Sequence, residues 1–600
     1  MTANPDNNPF LNRPNVTVNP AGPPVGAPAP SPATPPGSPA GGKPPPRPTH
    51  HRSPMRDTIE TVLLALILAF SFRTFCVEAF VIPTGSMAPT LMGAHFRVIC
   101  PQCGYRFNVN ADVNVQWLPV ARNLNGSLRY TLEYIKNGEL NDPYGLPLAP
   151  YIMCPNCHYM IPADSLPDKP IVHRDVTGTR LPITGDVAFP FASNGDHVLV
   201  QKYLYWFEHP KRWDIVVFRE PMRGKQNFIK RLVGLPGNTV EIVDGDVFIN
   251  GKVAHKPPAV QRAMLQLVYD NDYYPRDAGK PRRRSPTWTN PWKPEGTAAT
   301  AAHWNTNGPT VRFHAGKSAG AGTIIFVRRG NYLMNDIGYD DKAAYFEGGS
   351  IAGHSLVGNL FLHTVWKPDT DQSAISMTLG KVDNCYKIRL LQSGKYTLSH
   401  WRQASHTFSP VPPAIMDFHH SAPAIVAKTP CRISMINDDH QVRLWINGRL
   451  AMQYTSPWTV DQAIHLVHQQ DLDGELSPLI SVHVQGTCSL RHLILMRDIY
   501  YTQMHIANTT LPGTGTMNHP ITLKKGQYFV LGDNSNYSDD SRAWNRVEPL
   551  WRRHHLPMGV VPQRYMIGRA FIVYWPAGFR PLRSINWAIV PNVGKMRFIR

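Results

Sequence analysis

"FIKRLVGLPGNTVEIVDGDVFINGKVA", residues 228–254, reads as β-structure from end to end. Short Val/Ile/Phe-rich runs alternate with turn residues, and Asn250-Gly251 sits between two apolar runs as a two-residue hairpin turn, whose positive φ values Asn and Gly tolerate. The same signal extends outward in "DHVLVQKYLYWF" (196–207) and "DIVVFREP" (214–221), then in "GNLFLHTVW" (358–366), "YKIRLL" (386–391) and "HQVRLWINGRLAMQY" (440–454). In the last of these, Val442, Leu444 and Ile446 share one face, Arg443, Trp445 and Asn447 the other, and Asn447-Gly448 closes a hairpin. The expected fold class is mainly β.

The chain of 600 residues exceeds one hydrophobic core, and 42% apolar content is enough for several globular domains. Its 61 basic and 42 acidic side chains give a formal charge of +19. The positives are spread through every region, which suits an anionic membrane surface better than nucleic acid. Four of the eight cysteines form two Cys-Pro-x-Cys pairs, Cys100/Cys103 and Cys154/Cys157. Cys76, Cys385, Cys431 and Cys488 are isolated, and a bridge among the last three is left open.

Residues 1–54 are a Pro/Gly/Ala tract with few side chains large enough to pack, expected to be a disordered tether. "MRDTIETVLLALILAFSFRTFCVEAFVI" (55–82) follows. Val62 to Phe72 is apolar except for Ser71, and counting on through Arg73, which can snorkel, to Val77 approaches the roughly 20 residues a spanning helix needs. With Arg47, Arg52 and Arg56 in front, residues 55–78 are expected to be a single-pass anchor whose N-terminus is cytoplasmic. No Ala-x-Ala site follows before the serine stretch, so removal as a signal peptide is disfavoured.

"AFVIPTGSMAPTL" (79–91) sets Ser86 among turn residues, and a serine nucleophile needs a base. The chain has 25 histidines, but at Ser86 there is neither a Gly-x-Ser-x-Gly elbow nor a Ser-x-x-Lys. Lys230, flanked by Phe228, Ile229, Leu232 and Val233, is the better partner, because burial disfavours the ammonium and frees an amine to accept the serine proton. A third stretch, "YFVLGDNSNYSDDSRAW" (528–544), is a strand followed by a dense polar cluster.

"IPTGSMAPTL", "IKRLVGLPG" and "GDNSNYSDDSR", in this order behind an anchor, resemble the bacterial type I signal peptidases, as do "DHVLVQKY", "DIVVF" and the closing "IGRAFIVYWP". The resemblance covers roughly 55–93, 185–254 and 521–580. It implies a β catalytic core with Ser86 as nucleophile, Lys230 as general base, and Thr84 with the Ser86 N–H as oxyanion donors. Ser538 would orient the lysine, and Arg231, Asp533, Asp540 and Arg542 would shape the site. Phe80, Ile82, Met87 and Leu91 would line a pocket for small substrate side chains. The implied activity is removal of signal peptides from exported preproteins at Ala-x-Ala-like sites, without a cofactor, at the outer face of the cell membrane.

Two insertions divide this core. Residues 94–184 carry the cysteine pairs, whose knuckles "CPQCGYRF" and "CPNCHYMI" resemble a zinc ribbon with Cys100, Cys103, Cys154 and Cys157 as ligands; disulfides between the pairs are the alternative, and His158 reads as a bystander. Residues 255–520 read as a β-sandwich whose "VRLWINGRLA" resembles laminin-G or concanavalin-like sandwiches, with a carbohydrate or a protein as the candidate ligand. The acidic turn Asn437–His440 reads as solvated, with calcium as its alternative. The remaining core segments are 79–93, 185–254 and 521–600. Two other readings of the whole stand beside the peptidase: a membrane-tethered binding protein on an inactive core, and a regulatory self-cleaving Ser-Lys peptidase, which the anchor and the lack of a helix-turn-helix pattern disfavour.

Overall fold

The computed structural model of the chain describes residues 54–71, 77–110, 121–122, 128–129, 151–162, 195–221, 226–282, 287–316, 320–327, 356–381, 384–401, 414–473, 478–503, 513–544, 558–576 and 593–599. The expected tether (1–53), Arg73, Cys76 and most of 111–194 lie outside them. The described residues fall into two units, divided between Val77 and Glu78.

The first unit's helix α1 (Pro54–Ser71) starts with proline at its first turn, where a missing N–H costs nothing. Among the described residues no helix is long and apolar enough to cross a membrane. Arg56, Asp57 and Glu60 occupy the first turns of α1, which ends at Ser71, and Val77 opens a strand. Residues 72–76 of the expected anchor (55–78) lie outside the described residues.

One sheet, all of it but Val77 in the second unit, contains β1 (Val77–Val81), β2 (His197–Gln201), β3 (Ile215–Arg219), β4 (Asn227–Gly234), β5 (Gln527–Leu531), β6 (Val561–Pro562) and β7 (Met566–Trp575). Their spatial order is β1-β2-β7-β3-β4-β5-β6, with Arg597–Phe598 added alongside β7. Strand period two sorts their side chains into two apolar layers. Ile82, Met87, Leu91, Val198, Val200, Ile215 and Val217 pack on one side, against partly buried Phe80 and Ile229. Val216, Phe218, Leu232, Tyr528, Val530 and Trp544 pack on the other, with Phe228. A small sheet of Thr239–Val243, Asp246–Ile249, Lys252–Val253 and Ile521–Thr522 adjoins it, and Asn250 and Gly251 make the hairpin turn with φ of 52° and 77°.

The second insertion is two facing antiparallel sheets, one of eight strands and one of seven. Their inner faces share a core with Trp292, Trp366, Leu362, Ile388, Leu444 and Val482. Val442, Leu444 and Ile446 point inward, as their alternation requires, and Asn447-Gly448 turns the hairpin with φ of 49° and 80°. Cys385, Cys431 and Cys488 are buried free thiols, so no bridge joins them. A helix, Val460–Asp473, sets Ala463 against Val243 and Phe248 of the small sheet. Gly515, inside the span assigned to the insertion (255–520), instead accepts the Ile242 N–H of that sheet at 2.9 Å.

The acidic turn is not solvated. Asp438, Asp439 and His440 are buried, and the Lys256 Nζ lies 2.5 Å from Asp439 Oδ1, 2.8 Å from Asp498 Oδ2 and 3.9 Å from Asp438 Oδ1. A distant lysine thus supplies the cation that the turn sequence suggested for calcium.

Candidate active site

Ser86 lies in a short 3-10 turn (Gly85–Met87) directly after β1. Met87 and Leu91 are fully enclosed and Ile82 nearly so, which pins the turn to the sheet, while Ser86 stays half-buried and Thr84 exposed. Thr84 precedes the turn in extended conformation, and its hydroxyl does not cap it. Gly93 is confined by the same turn, since a Cβ there would come within 2.3 Å of the Thr84 carbonyl carbon.

Lys230 is in the middle of β4, paired with Val216 of β3. Period two puts it on the face of Phe228 and Leu232, which is why a charged residue is buried in this strand. Its Nζ is 2.7 Å from Ser86 Oγ, as a donor in this protonation state, and 5.4 Å from the centre of the Phe228 ring. Burial is the main cause of a pKa pushed down to about 8; Asp540 and Asp539 pull it up and Arg542 pulls it down.

Arg231, the next residue, points the other way. Its Nε and Nη2 donate to Asp533 Oδ1 and Oδ2 at 2.8 and 2.6 Å, its Nη1 donates to the Trp213 carbonyl at 2.9 Å, and Thr90 Oγ1 also donates to Asp533. The register Arg231↔Leu531 between β4 and β5 brings this about, because Asp533 follows two residues after Leu531. Asp540 and Arg542 form a second enclosed pair, with Nε and Nη2 at 2.9 and 2.7 Å from the carboxylate. Burial alone would raise the Asp540 carboxyl; Arg542 outweighs it and holds the carboxyl below its ordinary value. Asp540 also accepts the Gly532 N–H at 2.9 Å. Both pairs brace the 532–542 loop.

That loop reaches the serine turn directly. The Asn534 N–H donates to the Ser86 carbonyl and its Nδ2 to the Gly85 carbonyl, each at 3.1 Å. Ser538 is fully enclosed; no hydrogen bond joins its hydroxyl to Lys230, and a Cβ on Gly532 would fall 2.0 Å from its Oγ and 2.6 Å from the Ser86 carbonyl oxygen. Asn534, Thr90 and Gly532 lie within the quoted motifs, yet sequence reasoning passed over them. Asn534 and Thr90 have partners more than 400 residues away, Gly532 is confined in part by the equally distant Ser86 carbonyl, and no local pattern marks them.

The pattern described as "Signal peptidase, peptidase S26" matches residues 55–128, 172–333 and 479–575, more than half of the chain. The chain belongs to this signal peptidase family. Signal peptidase I of Leptolyngbya laminosa is 39% identical over 77 residues, 12% of this chain and 38% of that protein. Signal peptidase I V of Bacillus subtilis is 37% identical over 68 residues, covering 11% and 39%. The chain thus spans less than half the length of these curated relatives. A carbohydrate binding module, CBM66, from Bacillus subtilis matches 34% of this chain and 94% of its own at 9% identity, with a TM-score of 0.20, too low to bear on fold or ligand.

The four pair cysteines also converge. Cys100 Sγ is 3.6 Å from Cys157 Sγ, and Cys103 Sγ is 3.6 Å from Cys154 Sγ. The Cys100 N–H donates to the Tyr105 carbonyl at 2.9 Å and the Cys154 N–H to the Tyr159 carbonyl at 3.0 Å, closing the two knuckles. All four sulfurs lie within 4.8 Å of one another, and all four are free thiols rather than disulfides. His158 is not in this cluster.

Proposed function

We propose that the protein is a membrane-anchored serine endopeptidase that removes signal peptides from exported preproteins. The carrying observation is the 2.7 Å contact between Ser86 Oγ and a lysine that burial brings to a pKa of about 8. At pH 7 roughly one such lysine in eleven is a neutral amine, against about one in 2,500 for an ordinary lysine of pKa near 10.4. Neutral Lys230 takes the Ser86 Oγ–H proton as Oγ attacks the scissile carbonyl. The resulting ammonium gives that proton to the departing amine, leaving an acyl-enzyme. Lys230 then takes a proton from water, whose oxygen attacks the ester, and Ser86 recovers its proton as the acid leaves. Exposed Thr84, at the entrance to the Gly85–Met87 turn, is suited to serve with the Ser86 N–H as oxyanion donor.

Phe80 and Ile82, around the end of β1, are the natural border of a pocket for small side chains; Met87 and Leu91 form its enclosed floor. This geometry favours substrates with an Ala-x-Ala-like end, laid along β1 as an added strand. The segment ending in α1 would anchor the enzyme, N-terminus inward and catalytic unit on the outer face. Carboxylates close to Lys230 raise its pKa, so the Arg231–Asp533 and Arg542–Asp540 pairs act by holding the loop and neutralising its charge.

The cysteine cluster would hold a structural zinc ion. Four thiolates at about 2.3 Å from one Zn²⁺ stand about 3.8 Å apart, close to the sulfur separations here. Such a closed site has no open position and takes no part in the peptidase chemistry.

The test compares full-length wild type with Ser86→Ala in detergent on a preprotein bearing an Ala-x-Ala site, reading the new N-terminus of the product. Cutting after that site by wild type alone supports the reading. Equal cutting by folded Ser86→Ala, or none by either, overturns it.

A further inference from the structure

The second insertion is anchored on the elements that hold the dyad, at two joints. Where the chain leaves the small sheet, Lys256 is enclosed; its N–H donates to Asp439 Oδ2 at 3.0 Å and its Nζ sits among Asp438, Asp439 and Asp498. Gln261 extends the joint, donating to Asp438 Oδ2 at 2.5 Å and accepting from Arg443 Nη1 at 2.7 Å. On its other side the Lys256 ammonium lies 5.7 Å from the centre of the Trp213 ring. Trp213 Nε1 donates to the His255 carbonyl at 3.2 Å, and its own carbonyl takes the Arg231 Nη1 bond described above. One unbroken run of contacts therefore leads from the insertion's acidic turn to the residue beside Lys230.

The second joint is where the insertion returns. The Thr502 N–H donates to Ser535 Oγ at 2.8 Å. Arg542 Nη1 donates to the Thr502 carbonyl at 3.0 Å and to Ser535 Oγ at 2.8 Å, and its guanidinium lies 5.9 Å from the Tyr501 ring centre. These contacts fall within the 532–542 loop that also holds Ser86 through Asn534.

Building on the peptidase reading, we infer that the second insertion is a positioning element of the active site, acting through Lys256 and through the Thr502–Ser535–Arg542 joint. The buried cation is what makes the first joint specific. Three enclosed carboxylates tolerate one another only with the ammonium between them, so the acidic turn, the outgoing stem and the returning stem must meet at one point. Loosening either joint frees the loop behind Ser86 and lets water approach Lys230, which Asp540, Asp539, Arg542 and Asp533 face. A displacement of the order of 1 Å at a reacting group can cost about a hundredfold in rate.

The experiment uses the full chain in detergent and measures cleavage of the Ala-x-Ala preprotein from pH 6 to 10 for wild type, Lys256→Met and Ser535→Ala. The positioning role predicts at least a tenfold fall in kcat with KM within twofold of wild type. It also predicts that the acid limb of kcat/KM moves to higher pH by half a unit or more, as Lys230 regains water. A role in stability alone lowers the amount of folded enzyme and leaves that midpoint in place. Lys256→Met strands buried carboxylates and can fail to fold; Ser535→Ala, which removes one hydroxyl, then decides alone. Folded variants with wild-type kcat and an unmoved midpoint overturn the inference, and an inactive wild type overturns it together with the peptidase reading.

Discussion

Raising the pH from 7 to 9 is expected to increase kcat/KM about tenfold and then to stop increasing it. The figure follows from Lys230: with a pKa of about 8, the neutral fraction is roughly 9% at pH 7, half at pH 8 and about 91% at pH 9. A solvated lysine would instead give about a hundredfold rise across the same interval and no plateau below pH 10. A histidine base would level off near pH 7.5. The shape of the profile therefore identifies the base without a mutation. The assay is steady-state cleavage of an Ala-x-Ala peptide by the full chain in detergent, with far-UV circular dichroism at each pH to show that the fold persists. Asp539→Asn then moves the midpoint down, because Asp539 is among the carboxylates that pull Lys230 up. A log-linear rise through pH 10, or a midpoint that Asp539→Asn leaves unmoved, refutes the argument that burial and these carboxylates set the base.

Lys230→Met abolishes cleavage and is expected to stabilise the fold at pH 6–7 by about 3 kcal/mol, the equivalent of a shift from about 10.4 to about 8. The folded pKa lies below the unfolded one, so the burial cost is complete below pH 8 and gone above roughly pH 10.4; denaturation midpoints at pH 6 and pH 10.5 that differ equally from wild type contradict this. Gly532→Ala should cut kcat by at least tenfold, because its Cβ would press on Ser538 and the Ser86 carbonyl; cleavage assays showing wild-type kcat would show that this packing is dispensable. Elemental analysis of the purified chain is expected to find about one zinc per molecule, lost in Cys157→Ser. Four thiols that react in the native protein without metal release would exclude the closed site.

Hairpins were readable from the sequence because their requirement is local: Asn250-Gly251 and Asn447-Gly448 supply positive φ at two successive positions whatever surrounds them. The alternation in Val442, Leu444 and Ile446 likewise carried its own orientation, since strand geometry sends successive side chains to opposite faces. Hydropathy carried the expected anchor on to residue 78, whereas Val77 begins a strand, because residue counting takes no account of sheet pairing. The sequence could nominate Ser86 and Lys230 but could not measure the contact between them across 144 positions.

By itself, then, the sequence determined a mainly β chain, its turns and the residue types able to do serine chemistry, all of which depend on neighbours a few positions apart. Only the tertiary structure decided that Lys230 is buried with its pKa pushed down to about 8, that four cysteines meet, and that the acidic turn Asp438–His440 faces Lys256 rather than water. Desolvation and ion pairing depend on what lies opposite in space, and here the opposite groups come from segments separated by as many as 449 residues.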